Sequence, residues 1–277
     1  MRKQLESGLT HVGTLTRIVN CAVYGGLAAL TLIATSGSAQ ASINLVTNGG
    51  FEQTLIPGSA EFGARYPAQQ VLGWTTDSYS FVFAPGTADT TGAPDEYFLN
   101  DDPATGTQEI LTLWGPNNGS PNGLPPISPA GGNYIGADGA YFPGPISQQI
   151  NGLNPGHVAT VSFYWAAAQQ YGYDGETTQG WVVSLGNQTQ STPLITLPNH
   201  GFSGWMHQTF AFTPGNSSET LSFLAVGAPD FTFPPFSLLD GVEVTTPEPG
   251  VWGMGVALFA ALGICTRLRR KSASSAV

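Results

Sequence analysis

The sequence predicts an all-β fold: a two-sheet antiparallel jelly-roll sandwich, flanked by an N-terminal signal helix and a C-terminal transmembrane helix. Three observations predict it. Gly (36) and Pro (21) are abundant, aromatics reach 11% and charged residues only 9%, a composition that suits strands joined by long loops. Short runs of alternating apolar and polar residues recur between Gly/Pro/Asn clusters. Long uncharged apolar stretches occur near the two chain ends.

At the N-terminus, Arg2, Lys3 and Arg17 precede an uncharged stretch from Ile18 to Thr35, and Ala39-Gln40-Ala41 follows. A basic region, an apolar core and a small-x-small triplet make a secretory signal peptide over residues 1–41. The alternative is a retained membrane anchor.

Residues 42–246 form the mature domain. Sixteen of the 18 acidic residues lie there, with Arg65 as the one Lys or Arg, a balance of −15 with neutral histidine. Such a surface repels nucleic acid and anionic lipid headgroups and favours divalent cations. Cys21 and Cys265 both fall in the terminal apolar segments, which leaves the domain without disulfide or thiol chemistry. Its stability is therefore left to core burial, with bound metal open as a second source.

Strand-like runs follow in order: Ile43–Val46, Tyr79–Phe83, Glu109–Trp114, Asn133–Ile135, Ile146–Ile150, Val158–Ala167, Trp181–Leu185, Trp205–Phe212, Thr220–Val226 and Phe236–Thr245. Val161, Phe163 and Trp165 alternate with Thr160 and Ser162, and Leu221, Phe223 and Ala225 alternate with Thr220 and Ser222. A period of two puts one row inside a sandwich and the other toward solvent. The region from Ala84 to Pro129 lacks regular pattern and is expected to form long loops.

At the C-terminus, Pro247-Glu248-Pro249 precedes an apolar run from Val251 to Ile264, and Arg267, Arg269, Arg270 and Lys271 follow. The uncharged stretch from Gly250 to Thr266 is near the lower limit of ~17 residues for a spanning helix. Positive-inside bias puts the basic tail in the cytoplasm and everything before Pro247 outside. The alternative, a buried core helix, would show a polar face, and this run shows none. Residues 247–277 resemble the PEP-CTERM sorting signal of Gram-negative bacteria, which joins a Pro-Glu-Pro triplet, a short transmembrane helix and an Arg-rich end. Thr246 stands where that signal commonly has Val. The resemblance implies recognition by an exosortase at the inner membrane, then residence at the cell surface or in extracellular polysaccharide.

The domain opens with Asn48-Gly49-Gly50-Phe51-Glu52 and closes with Leu238-Leu239-Asp240-Gly241-Val242. This bracket resembles the galactose-binding-like jelly rolls of carbohydrate-binding modules, in which the first and last strands lie together. On the last strand Leu238, Asp240, Val242 and Val244 share parity, so Asp240 points with three apolar side chains unless Gly241 makes a bulge. A carboxylate so placed needs a partner. Backbone N–H donors and a cation remain open as that partner. The resemblance implies a structural Ca²⁺ held by Glu52, Asp240 and backbone carbonyls.

Three histidines lie in the domain, His157, His200 and His207, with no acidic residue or Cys at zinc spacing. They read as turn and strand-surface residues. No Gly-x-Ser-x-Gly or His-Glu-x-x-His motif occurs. Asp95-Glu96 and Asp101-Asp102 keep a secreted polysaccharide hydrolase as the alternative function, since glycosidase carboxylates are set in space rather than in sequence. For sugar binding, exposed aromatic rings stack on C–H faces. The candidates are Trp114, Tyr171, Tyr173 and Trp181, with Tyr141 also near a predicted loop. The sequence thus reads as an exported, non-catalytic surface or matrix protein with extracellular polysaccharide as a candidate ligand.

Overall fold

The structure, a computed structural model, describes residues 42–63, 70–90, 111–229 and 233–246. The chain divides into Met1–Ala41 and Ser42–Val277, and every described residue belongs to the second unit. Both apolar end segments, the Pro-Glu-Pro triplet and Arg267, Arg269 and Arg270 lie outside the described residues. Among the described residues no helix is long and apolar enough to cross a membrane.

Eleven strands are formed: β1 (Ala60–Glu61), β2 (Ser80–Phe83), β3 (Tyr134–Asp138), β4 (Pro145–Asn151), β5 (Ala159–Gln169), β6 (Thr177–Leu185), β7 (Gln188–Ser191), β8 (Ile195–Leu197), β9 (Met206–Phe212), β10 (Ser218–Ala228) and β11 (Pro235–Thr245). They make two antiparallel sheets. The six-stranded sheet runs β1-β2-β3-β11-β5-β9, and the five-stranded sheet runs β4-β10-β6-β7 with β8 also paired to β6. The all-β two-sheet sandwich is as the composition and periodicity predict.

Alternation decides which side chains meet between the sheets. Val161, Phe163 and Trp165 of β5 and Leu221, Phe223 and Ala225 of β10 all point into one core, together with Trp181, Val183 and Leu185 of β6. Glu109–Trp114 does not form a strand over its described part; Leu113 makes only an isolated bridge to Gln170. Strands β7 and β8 went unseen in the sequence because Gln188–Ser191 is almost wholly polar and Ile195–Leu197 is very short.

The opening and closing segments lie together. Leu45 N–H donates to Val244 O at 2.8 Å, and Val242 N–H donates to Gly49 O at 2.9 Å. Two seams of the sandwich are held by glutamine amides. Gln148 on β4 accepts from Thr47 N–H (2.7 Å) and donates to Thr47 O (2.8 Å). Gln188 on β7 accepts from Thr213 N–H at 3.1 Å and donates to Thr213 O. Each amide pairs with backbone as a strand would. Sheet edges commonly rely on Lys to block further pairing, and no Lys or Arg occurs among the described residues.

A second apolar cluster covers the outer face of the six-stranded sheet. Phe81, Phe83, Tyr134, Ala166, Ala168, Phe236 and Leu238 project outward, and Ala88, Leu111, Leu113 and Leu124 from the irregular region pack onto them. The expected loops are therefore a packed layer.

Candidate functional site

Glu52 and Asp240 lie near each other where the first and last segments meet. Gly241 takes φ +58°, and the β5–β11 register shifts between Asp240 and Glu243, so Gly241 makes a bulge. Asp240 consequently faces the outer cluster with Leu238, while Val242 and Val244 turn into the inter-sheet core. The shared parity of Asp240 with Val242 and Val244 is thus broken.

Asp240 is fully buried. Its carboxylate accepts from the Ser128 hydroxyl and from Gly241 N–H at 2.6 Å. Burial pushes it up to about 7, against these two hydrogen bonds and with the nearby Glu52 charge adding to the rise. Glu52 is exposed and accepts from Asn133 N–H at 2.9 Å. A methyl group placed on Gly50 would lie 3.8 Å from a Glu52 oxygen and 3.9 Å from an Asp240 oxygen, so both carboxylates border Gly50. Gly132, at φ +67°, lies so close that a Cβ there would fall 1.7 Å from Glu52 Oε1. Together the two acids hold the 128–133 loop to the ends of the domain.

Among the described residues no cluster of three or more His, Cys, Asp or Glu is placed to hold a metal. The pair nevertheless fits a hard cation that takes most of its ligands from carbonyls and water. Two carboxylates border Gly50, one is buried, and no Lys or Arg stands among the described residues to neutralise them.

The aromatic candidates separate. Trp181 is fully buried in the inter-sheet core and its Nε1–H donates to Leu238 O at 3.1 Å, so it is a packing residue and no ligand platform. Its place in β6 gives it the inward parity of Val183 and Leu185. Trp114 and Tyr171, by contrast, come together at one end of the six-stranded sheet. Trp114 N–H donates to Gln169 O at the end of β5. The Trp114 and Tyr171 rings are edge-on, with centroids 4.5 Å apart. Trp114 Nε1–H donates to Tyr173 O at 2.9 Å, which fixes the β5–β6 loop beneath it. Tyr141 sits elsewhere, on the β3–β4 loop, edge-on to Tyr79 and Phe142.

Two members of this cluster were missed by sequence reasoning. His200 stacks on Trp114 with centroids 3.6 Å apart and planes 24° apart. It occupies a turn, as read, at φ +57°. Its Nε2 meets Asp174 Oδ1, and the Asp174 side chain is 78% exposed. Gln169 Oε1 accepts from His200 N–H at 2.5 Å, and His200 O accepts from Ser120 and Asn122 side chains at 2.9 Å each. The available signal was slight: a histidine after Asn199, and an Asp closing Tyr171-Gly172-Tyr173. His157 is exposed in a turn, and His207 lies exposed on β9 beside Tyr164. Asp95, Glu96, Asp101 and Asp102 lie outside the described residues.

No family model matches this chain, and no curated protein matches it. Solved structures similar to it include the enzymatically active domain of tailspike protein 4 from bacteriophage CBA120, at 17% identity and TM-score 0.31, covering 74% of this chain and 21% of that one. The match thus takes in about a fifth of the tailspike chain. A family 16 carbohydrate-binding module matches at 12% identity and TM-score 0.31, over 73% of this chain and 99% of that one. The xylan-binding CBM22-1 domain from Paenibacillus barcinonensis matches at 11% identity and TM-score 0.31, over 72% and 97%.

Proposed function

We propose that this chain is an exported, non-catalytic surface or matrix protein that binds polysaccharide through the Trp114 cluster. The observation that carries this reading is the grouping of Trp114, Tyr171 and His200 beside the exposed carboxylate of Asp174. A pyranose offers an apolar C–H face to such rings, and its hydroxyls donate to the carboxylate. The backbone beneath is fixed by Trp114 Nε1–H and by Gln169, so little ordering is left for the bound state. Isothermal titration of the full-length chain against neutral, anionic and cationic polysaccharides tests this. Trp114→Ala should weaken binding at least ~10-fold, in line with the loss of a central aromatic anchor. A wild-type chain that binds none of the three classes, or a variant that binds as well, overturns it.

Export and sorting are part of the same proposal. The signal-like residues 1–41 and the order Pro247-Glu248-Pro249, apolar run, Arg267-Leu268-Arg269-Arg270 support a route through the inner membrane and processing by an exosortase. The chain would face the periplasm first and reside at the cell surface or in the matrix afterwards. Mass spectrometry of the native protein should find both ends removed; intact ends on surface-located protein would refute the processing step.

The Glu52–Asp240 pair is proposed to hold Ca²⁺. The ion would supply the positive charge that this buried carboxylate lacks, and it would secure the 128–133 loop. Calcium added to metal-free protein should raise the melting temperature, and Asp240→Asn should remove the rise. An unchanged melting temperature in wild type rules the site out.

A further inference from the structure

We infer, building on polysaccharide binding at the Trp114 cluster, that the preferred glycan is cationic: an amino-sugar polymer whose amines are unsubstituted. Charge is the first ground. Residues 42–246 hold 16 acidic residues against one Arg, and no Lys or Arg occurs among the described residues. An acidic field of this size raises the local concentration of polycations and repels uronates and sulfated sugars.

The second ground is the local arrangement. The Asp174 side chain is 78% exposed, and only one of its oxygens is engaged: Oδ1 meets His200 Nε2, while Oδ2 makes no hydrogen bond among the described residues. Asp174 is joined to the aromatic group through His200, which stacks on Trp114, and exposed Glu176 follows on the same loop. A sugar lying against Tyr171 and Trp114 would thus bring a C2 ammonium within reach of a carboxylate and of negative ring faces. Charge-assisted hydrogen bonds of this kind are roughly twice as strong as neutral ones, and aromatic faces attract ammonium groups further. His200, the one ring in the cluster able to carry a positive charge, is already turned to Asp174 and leaves no free cation for an anionic sugar.

The test uses the full-length chain and three probes: a β-linked glucosamine oligomer, its fully N-acetylated counterpart, and a polyuronate. The amine form should bind at least ~10-fold tighter than the acetylated form at low salt, and the advantage should shrink as salt is added. Asp174→Asn should remove the preference. Glu243→Gln takes the same charge from exposed β11 and should leave it. Equal affinity for amine and acetylated forms, or equal loss in both variants, overturns the amine preference. If Trp114→Ala weakens binding of every probe while Asp174→Asn does not alter the preference, polysaccharide binding stands and the amine inference falls. If Trp114→Ala changes nothing, polysaccharide binding at this cluster falls with it.

Discussion

The outer faces of the two sheets differ in kind. On the six-stranded sheet, Phe81, Phe83, Tyr134, Phe236 and Leu238 lie under the irregular region and form a second core. On the five-stranded sheet, Ser147, Ser222, Ser184 and Thr189 stand in register across β4, β10, β6 and β7, and none is buried. The Ser184 and Ser222 hydroxyls are hydrogen-bonded to each other at 2.7 Å. One face is a structural layer and the other meets solvent. The strands differ accordingly: β2 and β3 are buried along their whole length while β4 and β10 alternate. The reason is a non-periodic segment that supplies apolar side chains to cover the apolar outward row of the first sheet.

The covered face carries its own polar demands. Tyr134 OH and Trp205 Nε1 are buried without a hydrogen-bond partner among the described residues, and their rings meet edge-on at 5.3 Å. Burial pushes the Tyr134 hydroxyl well up, with Asp89 and Asp240 acting in the same direction. Asp138 ends β3 under similar conditions, accepting from Ala140 and Tyr141 N–H at 2.7 and 3.0 Å. Burial lifts it to about 6 despite those two bonds. The covering layer thus gains hydrophobic stabilisation and loses part of it to desolvated polar groups.

The contrast can be broken most forcefully at Phe236. Phe236→Ala empties the second cluster and should cost about 3–5 kcal/mol in denaturant unfolding; a cost below ~1 kcal/mol would mean the layer is not packed. Next comes Ser128→Ala, which removes a hydroxyl donor from buried Asp240. Leaving that carboxylate short of a partner should cost about 1–3 kcal/mol, read from the same titration in metal-free buffer.

A pH series sharpens the picture at Asp138. Its pKa is raised on folding, so the folded state binds this proton more tightly than the unfolded chain. The penalty is full above the folded value and relieved as pH falls through about 6. Between about pH 7 and about pH 5 this single group should add roughly 1 kcal/mol of stability. Asp138→Asn should reduce the rise over that part of the profile, to which buried Asp240 also contributes; an identical profile would remove Asp138 as a source. The smallest effect belongs to the bare face, where Ser222→Ala should shift stability by no more than ~0.5 kcal/mol.

Much of the fold was legible locally. The rows Val161-Phe163-Trp165 and Leu221-Phe223-Ala225 point inward as alternation predicts, and the Asn44–Val46 opening lies on Val244 and Thr245 of β11. The site was less legible. Trp181 stood at the very start of the predicted strand Trp181–Leu185, close to a predicted loop, yet β6 starts at Thr177 and carries it into the core.

By itself the sequence determined the β class, the inward rows, the acidic balance and the two apolar ends, because each is a property of composition or short-range period. Only the tertiary structure decided that the 111–133 region is a packed layer, that Gly241 turns Asp240 away from Val242, and that Trp114, Tyr171, His200 and Asp174 meet. Those outcomes rest on contacts between residues tens of positions apart. Periodicity within a strand carries no information about which distant loop will come to rest on it.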